Sequence, residues 1–220
     1  MAILTPPSPA AALLAALLGV GSAHAASNPD FPVVLPASLG YTVLMDKDPI
    51  GRESYDFRQD GGHTTVTVQT KTDVKLLFLT FHYRHQRQED WQDGKLIHLS
   101  ADTDDDGTKH HVEEESQGTA PALTLDGKPV AAAEDSLPLS LWSKAILATA
   151  NLYGVTDAQP YHVSVQDLGK ESLTLHGQPQ DAWHYRISGD IQRDLWYGQD
   201  GLLLQAAFER RGYPIKFIRE

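Results

Sequence analysis

The chain has 220 residues, 18 Lys plus Arg against 29 Asp plus Glu, a net charge of −11, and no cysteine. The charge disfavours nucleic acid and anionic membrane surfaces as general partners, because both would be repelled. The missing thiols exclude disulfides, thiolate metal sites and a cysteine nucleophile.

The first 25 residues read as a secretory signal. The run AALLAALLGV, residues 11–20, is too short to span a bilayer. It is followed by Ala23-His24-Ala25, which fits the small-x-small cleavage rule. No cysteine offers a lipid anchor, so the expected product is periplasmic and unanchored. Residues 26–38, rich in Pro and small side chains, read as an extended lead-in, and residues 39–220 as a single β-rich domain.

From Leu39 onward the chain repeats one grammar of alternating apolar runs and turns. GYTVLMD is followed by a turn read at KDPIG, RESYDFRQ by DGG, and HTTVTVQT by a long run, VKLLFLTFHYRHQRQEDW. Asp93-Gly94, Asp106-Gly107 and Asp126-Gly127 are hairpin signals, since Gly accepts positive φ and Asp tolerates the left-handed region. In the long run, read as one strand, Leu77, Leu79, Phe81 and Tyr83 share one face. Leu76, Phe78, Thr80, His82 and Arg84 share the other. A strand apolar on both faces needs something packed on each. SLWSKAILATANLY, Ser140 to Tyr153, reads as the one helix, with Pro138 before it, Ser140 as its cap and Gly154 as its stop. Strands then resume to the end. The expected fold is mainly β: a strongly curved antiparallel sheet, a half-barrel, wrapped around one short helix.

The acidic stretch Glu89 to Glu115 holds ten acidic residues and two lysines, a local balance of −8. Within it, Asp102, Asp104, Asp106, Gly107 and Glu113 satisfy the calcium-loop pattern D-x-D-x-D-G-x5-E. The flanks read as strands rather than helices. An extended chain from Thr108 would carry Glu113 on the order of 15 Å from the turn, beyond an ion held by the aspartates. A hairpin tip is the reading, with weak surface binding at Asp102, Asp104 and Asp106 as the metal alternative. His110 and His111 are adjacent, so on a strand they point to opposite faces. A cross-strand set of His82, His98 and His111 is left open by the unknown register, and ordinary sheet-face histidines are the expectation.

No motif with a catalytic mechanism is found: no G-x-S-x-G, H-E-x-x-H, phosphate loop or G-x-G-x-x-G. The chain is therefore expected to be non-enzymatic and without cofactor. Aromatic residues remain as ligand-lining candidates: Phe81, Tyr83, Trp142, Trp196 and Phe208. The functional expectation is a binder or carrier of a lipid-like apolar molecule. The alternatives are an envelope scaffold using the acidic hairpin, or an enzyme acting on the cell envelope.

The motifs W-x-D-G-x-L at Trp91–Leu96, T-D-x-x-G at Thr103–Gly107 and D-L-W-Y at Asp194–Tyr197 resemble a proteobacterial periplasmic family of unknown function. The likeness runs over most of Leu39 to Ile218. It implies no activity and no catalytic residue, and it implies a hairpin turn at T-D-x-x-G. More distantly, the pattern is similar to half-barrels that carry lipoproteins or lipids, in which one curved sheet wraps a short helix.

Overall fold

The structure, a computed structural model, describes residues 34–76, 78–116 and 121–220. The proposed signal segment and residues 26–33 of the lead-in lie outside these, as does Leu77. Fifteen strands are described. The first eight are β1 (Ser38–Met45), β2 (Asp48–Asp60), β3 (His63–Leu76), β4 (Leu79–Gln92), β5 (Lys95–Asp105), β6 (Thr108–Glu115), β7 (Ala122–Leu125) and β8 (Lys128–Val130). The others are β9 (Leu137–Pro138), β10 (Asn151–Tyr153), β11 (Pro160–Leu175), β12 (Gln178–Gly189), β13 (Arg193–Tyr197), β14 (Leu203–Arg210) and β15 (Tyr213–Arg219).

All fifteen form one sheet, in the order β8-β7-β6-β5-β4-β3-β2-β1-β15-β14-β13-β12-β11-β10-β9. Each neighbouring pair is consecutive in sequence except β1 and β15, whose antiparallel register runs from Tyr41 opposite Arg219 to Met45 opposite Ile215. Only β9 and β10 pair in parallel. The pairing is local because the turns are chemically specified. Asp93-Gly94, Asp106-Gly107 and Asp126-Gly127 each place both residues at positive φ. That is the two-residue geometry whose twist matches the flanking strands.

Two expectations about the fold are corrected. The segment Ser140–Tyr153 is not a helix. Among the described residues the only helical element is a 3₁₀ turn, Lys144–Ala148, and the segment ends in β10. Ser143, not Ser140, caps that turn, its side chain accepting from the Ala145 amide at 3.2 Å. The physical reason lies two residues apart in sequence. Ser140 and Trp142 both donate to the buried Glu89 carboxylate. Residues i and i+2 point the same way on an extended chain, but about 200° apart on a helix. The sheet is also not the strongly curved half-barrel expected: it is an open meander whose end strands, among the described residues, are β8 and β9.

The long run Val74–Trp91 is likewise two strands. Leu76 pairs with Leu79, and the intervening Phe78 is fully exposed, so a hairpin tip stands where a two-sided strand was expected. The first turn falls at Asp46, one step before the KDPIG reading. Pro49 then sits inside β2 opposite Leu44, at a register shift, where a residue lacking an N–H is tolerated.

One main core cluster draws on both flanks of the sheet. Tyr41, Tyr55, Val66, Val68, Leu99 and Val112 join Ile187, Leu195, Tyr197 and Leu203, with Trp142 and Ile146 of the connecting segment between them. A smaller cluster, Leu175, Ala182 and Leu204, is backed by Trp196 and Ile218. No buried side-chain N or O among the described residues lacks a partner.

Candidate functional site

Strand β4 positions the site. On its inward face Tyr83, His85, Arg87, Glu89 and Trp91 follow one another at every second residue, four of them buried and Tyr83 partly so. This is an unusual content for a core-facing row, and it is held by hydrogen bonds at every step. Glu89, fully buried, accepts from Arg87 Nε at 2.7 Å and Ser140 Oγ at 2.6 Å on one oxygen. Its other oxygen accepts from the indole N–H groups of Trp91 at 3.0 Å and Trp142 at 3.1 Å. Arg87 also donates to Ser140 Oγ and, at 3.0 Å, to His85 Nε2. Burial opposes the Arg87 charge, but Glu89, Tyr55 and Glu53 more than offset it, and its pKa is raised.

Arginine only donates, so His85 Nε2 is an acceptor and the ring proton sits on Nδ1. Nδ1 therefore donates to Thr103 Oγ1 at 2.8 Å. Burial, then the Arg87 and Arg210 charges, push the imidazole down to a pKa of about 3. A second buried carboxylate, Glu114, accepts from Ser116 Oγ and from the Tyr153 hydroxyl, and burial raises its pKa.

Beside this row lies a cavity of about 510 Å³. Its apolar wall includes Leu139, Leu141, Val155, Phe208 and Phe217. Three carboxylates reach it: Asp157 accepts from the Gln159 amide at 3.1 Å, and the other two are held by side chains. Glu53 accepts from Tyr55 Oη at 2.5 Å and Thr70 Oγ1 at 2.7 Å. Asp105 pairs with Arg210 at 3.2 Å and Arg211 at 2.8 Å. Arg193 differs. Its guanidinium lies 4.1 Å above the Phe208 ring, and no Asp or Glu among the described residues pairs with it. Burial lowers its pKa, with the nearby Arg210 charge acting in the same sense. A second, more apolar cleft of about 200 Å³ is lined by Met45, Ile50, Val74, Phe81, Tyr213 and Ile215. Both cavities touch Tyr83, Asp105, Arg210 and Arg211, and Arg210 lies 4.7 Å over the Tyr83 ring.

Of the aromatic candidates, Tyr83 and Phe208 line the larger cavity, and Phe81 and Tyr83 the smaller. Trp142 sits in the core, edge-on to Trp91 and Phe57, with no surface exposed. Trp196 lies in the second cluster, stacked on His184 at 4.3 Å and donating to Glu171. The acidic loop is a two-residue turn at Asp106-Gly107. Asp102 Oδ1 meets His111 at 2.9 Å, Asp104 accepts from the Gly107 amide, and Glu113 stands opposite Ser100, not at the tip. His98 and His111 share the outward face of β5 and β6, whereas His82 pairs with Asp73 near the opposite end of β4.

Sequence reasoning missed His85, Arg87, Glu89 and Arg193. For the first three the signal was present: they continue the parity of Phe81 and Tyr83 into Trp91, so an aromatic at each end brackets three polar residues on one face. Arg193 carried no such mark.

Residues 41–220 match the family described as a domain of unknown function, DUF6134, and the chain belongs to that family. The fold is similar to that of a solved protein from Brucella abortus, titled a beta-barrel-like protein of domain of unknown function DUF1849. That likeness has a TM-score of 0.63 at 10% identity, covering 86% of this chain and 98% of the other, so it concerns the fold alone. No curated protein matches the chain. Among the described residues, no helix is long and apolar enough to cross a membrane.

Proposed function

We propose that this protein is a non-enzymatic periplasmic binder of a small amphiphile with an apolar body and one anionic end. The observation that carries the reading is Arg193, a half-buried cation in the wall of a roomy cavity with no carboxylate beside it. Placing a charge in such a site is costly unless an opposite charge joins it. A ligand carboxylate or phosphate meets that need, as Phe208, Phe217, Leu139 and Leu141 cover its first carbons. The adjoining cleft around Phe81 and Ile215 accommodates the tail. The combined space falls within the range of small-molecule sites.

The polar row supports binding over catalysis. Both His85 nitrogens are engaged, and the Glu53 and Asp105 carboxylates are held by other side chains. These three groups are therefore held in structural roles and not poised as a general base. The leader pattern supports the periplasmic setting. The acidic-hairpin alternative is weakened because Asp105 is neutralised from within by Arg210 and Arg211.

The test is native mass spectrometry of protein purified from its own host, with a fluorescent fatty acyl probe displaced by a fatty acid or by the matching alcohol. Arg193→Gln is expected to weaken the acid about tenfold or more, about 1.4 kcal/mol, while leaving the alcohol unchanged. Protein that never carries a ligand and never takes up the probe refutes the reading.

A further inference from the structure

The outward face of the sheet, on the side away from the cavity, gathers a different chemistry. On β5 His98 stands opposite Glu115 of β6, and Ser100 opposite Glu113. On its other side His98 stands opposite Asp90 of β4. His98 Nε2 lies 2.9 Å from Glu113 Oε1 and 3.8 Å from Glu115 Oε1. Two ligands of a tetrahedral zinc-type ion, each bound at 2.0–2.1 Å, are about 3.3 Å apart, between those two separations. One ligand atom from each of the three side chains fits within 4.8 Å of the others.

The remaining His98 nitrogen matters as much. Nδ1 lies 3.5 Å from Asp90 Oδ2. Asp90 is itself fixed, accepting from Thr65 Oγ1 at 2.7 Å and from Gln88 Nε2 at 2.9 Å. A carboxylate behind one imidazole nitrogen sets the tautomer and turns the other nitrogen toward a metal. The face also holds a further imidazole: His111 Nε2 lies 2.9 Å from Glu113 Oε2, with its Nδ1 against Asp102. Adjacent strands thus present nitrogen and oxygen donors backed by outer carboxylates on a rigid scaffold.

We propose that His98, Glu113 and Glu115 form a binding site for a divalent transition ion of the zinc type, with Asp90 orienting His98. Nitrogen in the ligand set selects against calcium and magnesium, which take oxygen donors. The ion displaces the proton shared between His98 and Glu113, and water or His111 completes its shell. The site is separate from the cavity and does not depend on the amphiphile reading.

The test uses the untagged, metal-stripped chain titrated with Zn²⁺ by calorimetry, then with Co²⁺ read by its visible absorption. One ion per chain is expected, with the intense bands of four-coordinate cobalt and no competition from a large excess of Ca²⁺ or Mg²⁺. His98→Ala is expected to abolish that binding. Asp90→Asn leaves all three ligands in place and is expected to weaken it about tenfold or more. Circular dichroism of each variant checks the fold. Binding weaker than about 1 mM (about −4 kcal/mol), or tight binding that survives His98→Ala, overturns the proposal.

Discussion

Glu89 shows how a single buried charge organises its surroundings. Four donors from two segments of chain converge on one carboxylate, and Arg87 supplies the compensating charge. Removing one partner strands the other in a medium that solvates it badly. Arg87→Met is therefore expected to cost about 3–5 kcal/mol in urea unfolding. Glu89→Gln leaves Arg87 uncompensated and is expected to be similarly damaging. The double variant removes both charges while keeping an acceptor for the indoles, so its cost is expected to fall below the sum of the two. Strict additivity would show that the pair is not coupled. His85 adds a pH dependence. Its folded pKa of about 3 lies below the roughly 6.5 of an unfolded histidine, so the unfolded chain binds the extra proton. Its contribution is complete above about pH 6.5 and is lost as the pH falls toward 3. Subtracting the stability profile of His85→Gln from that of the wild type isolates this slope from the other titrating groups. A flat difference between pH 7 and 4 would contradict it.

At the scale of elements, the turns carry the clearest local chemistry. Gly107 has φ of +90° with no atom within 4 Å of a built Cβ, so only backbone conformation opposes a side chain there. Gly107→Ala is expected to cost about 1–2 kcal/mol by thermal unfolding, without changing the fold. The Asp-Gly turns and the strand parity on either side of them were legible in the sequence, because their signals are short-range. The break at Leu76–Leu79 was not, since an apolar tip with exposed Phe78 carries none of the usual turn residues. Ser140–Tyr153 misled for the opposite reason. Its helical spacing is genuine, but its preference is overridden by Glu89, which holds Ser140 and Trp142 on one side, and by Glu114, which receives Tyr153. Trp142→Phe tests that account. It keeps most of the ring and removes one donor, and is expected to cost about 1–3 kcal/mol, where Trp142→Ala costs about 3–5. Of the candidate cavity, Phe81, Tyr83 and Phe208 could be singled out as aromatics. The cationic side could not, because Arg193 acquires its meaning from Phe208 and Arg210 across strand pairings that only the folded sheet fixes.

For the whole molecule the decisive pairing is β1 with β15, which joins residues almost 180 positions apart at the middle of the sheet. Every other backbone pairing of strands among the described residues is between sequence neighbours. Residues 131–136 carry the chain from β8 at one edge to β9 at the other, so two meanders are stitched together by the last strand. Bringing the ends of a chain segment that long together costs on the order of 4–5 kcal/mol in entropy. Until Tyr213–Arg219 arrives, β1 and β14 each present an unpaired row of amides and carbonyls, a template for association between molecules. Seen as a closed ring, however, the same polypeptide contains no distant pairing at all. Joining Glu220 to Ser38 through a short flexible linker, and opening the ring between the exposed Ala133 and Glu134, would order the strands as one uninterrupted zigzag from β9 to β8. Such a permuted protein is expected to reach the same native state faster than the natural order does.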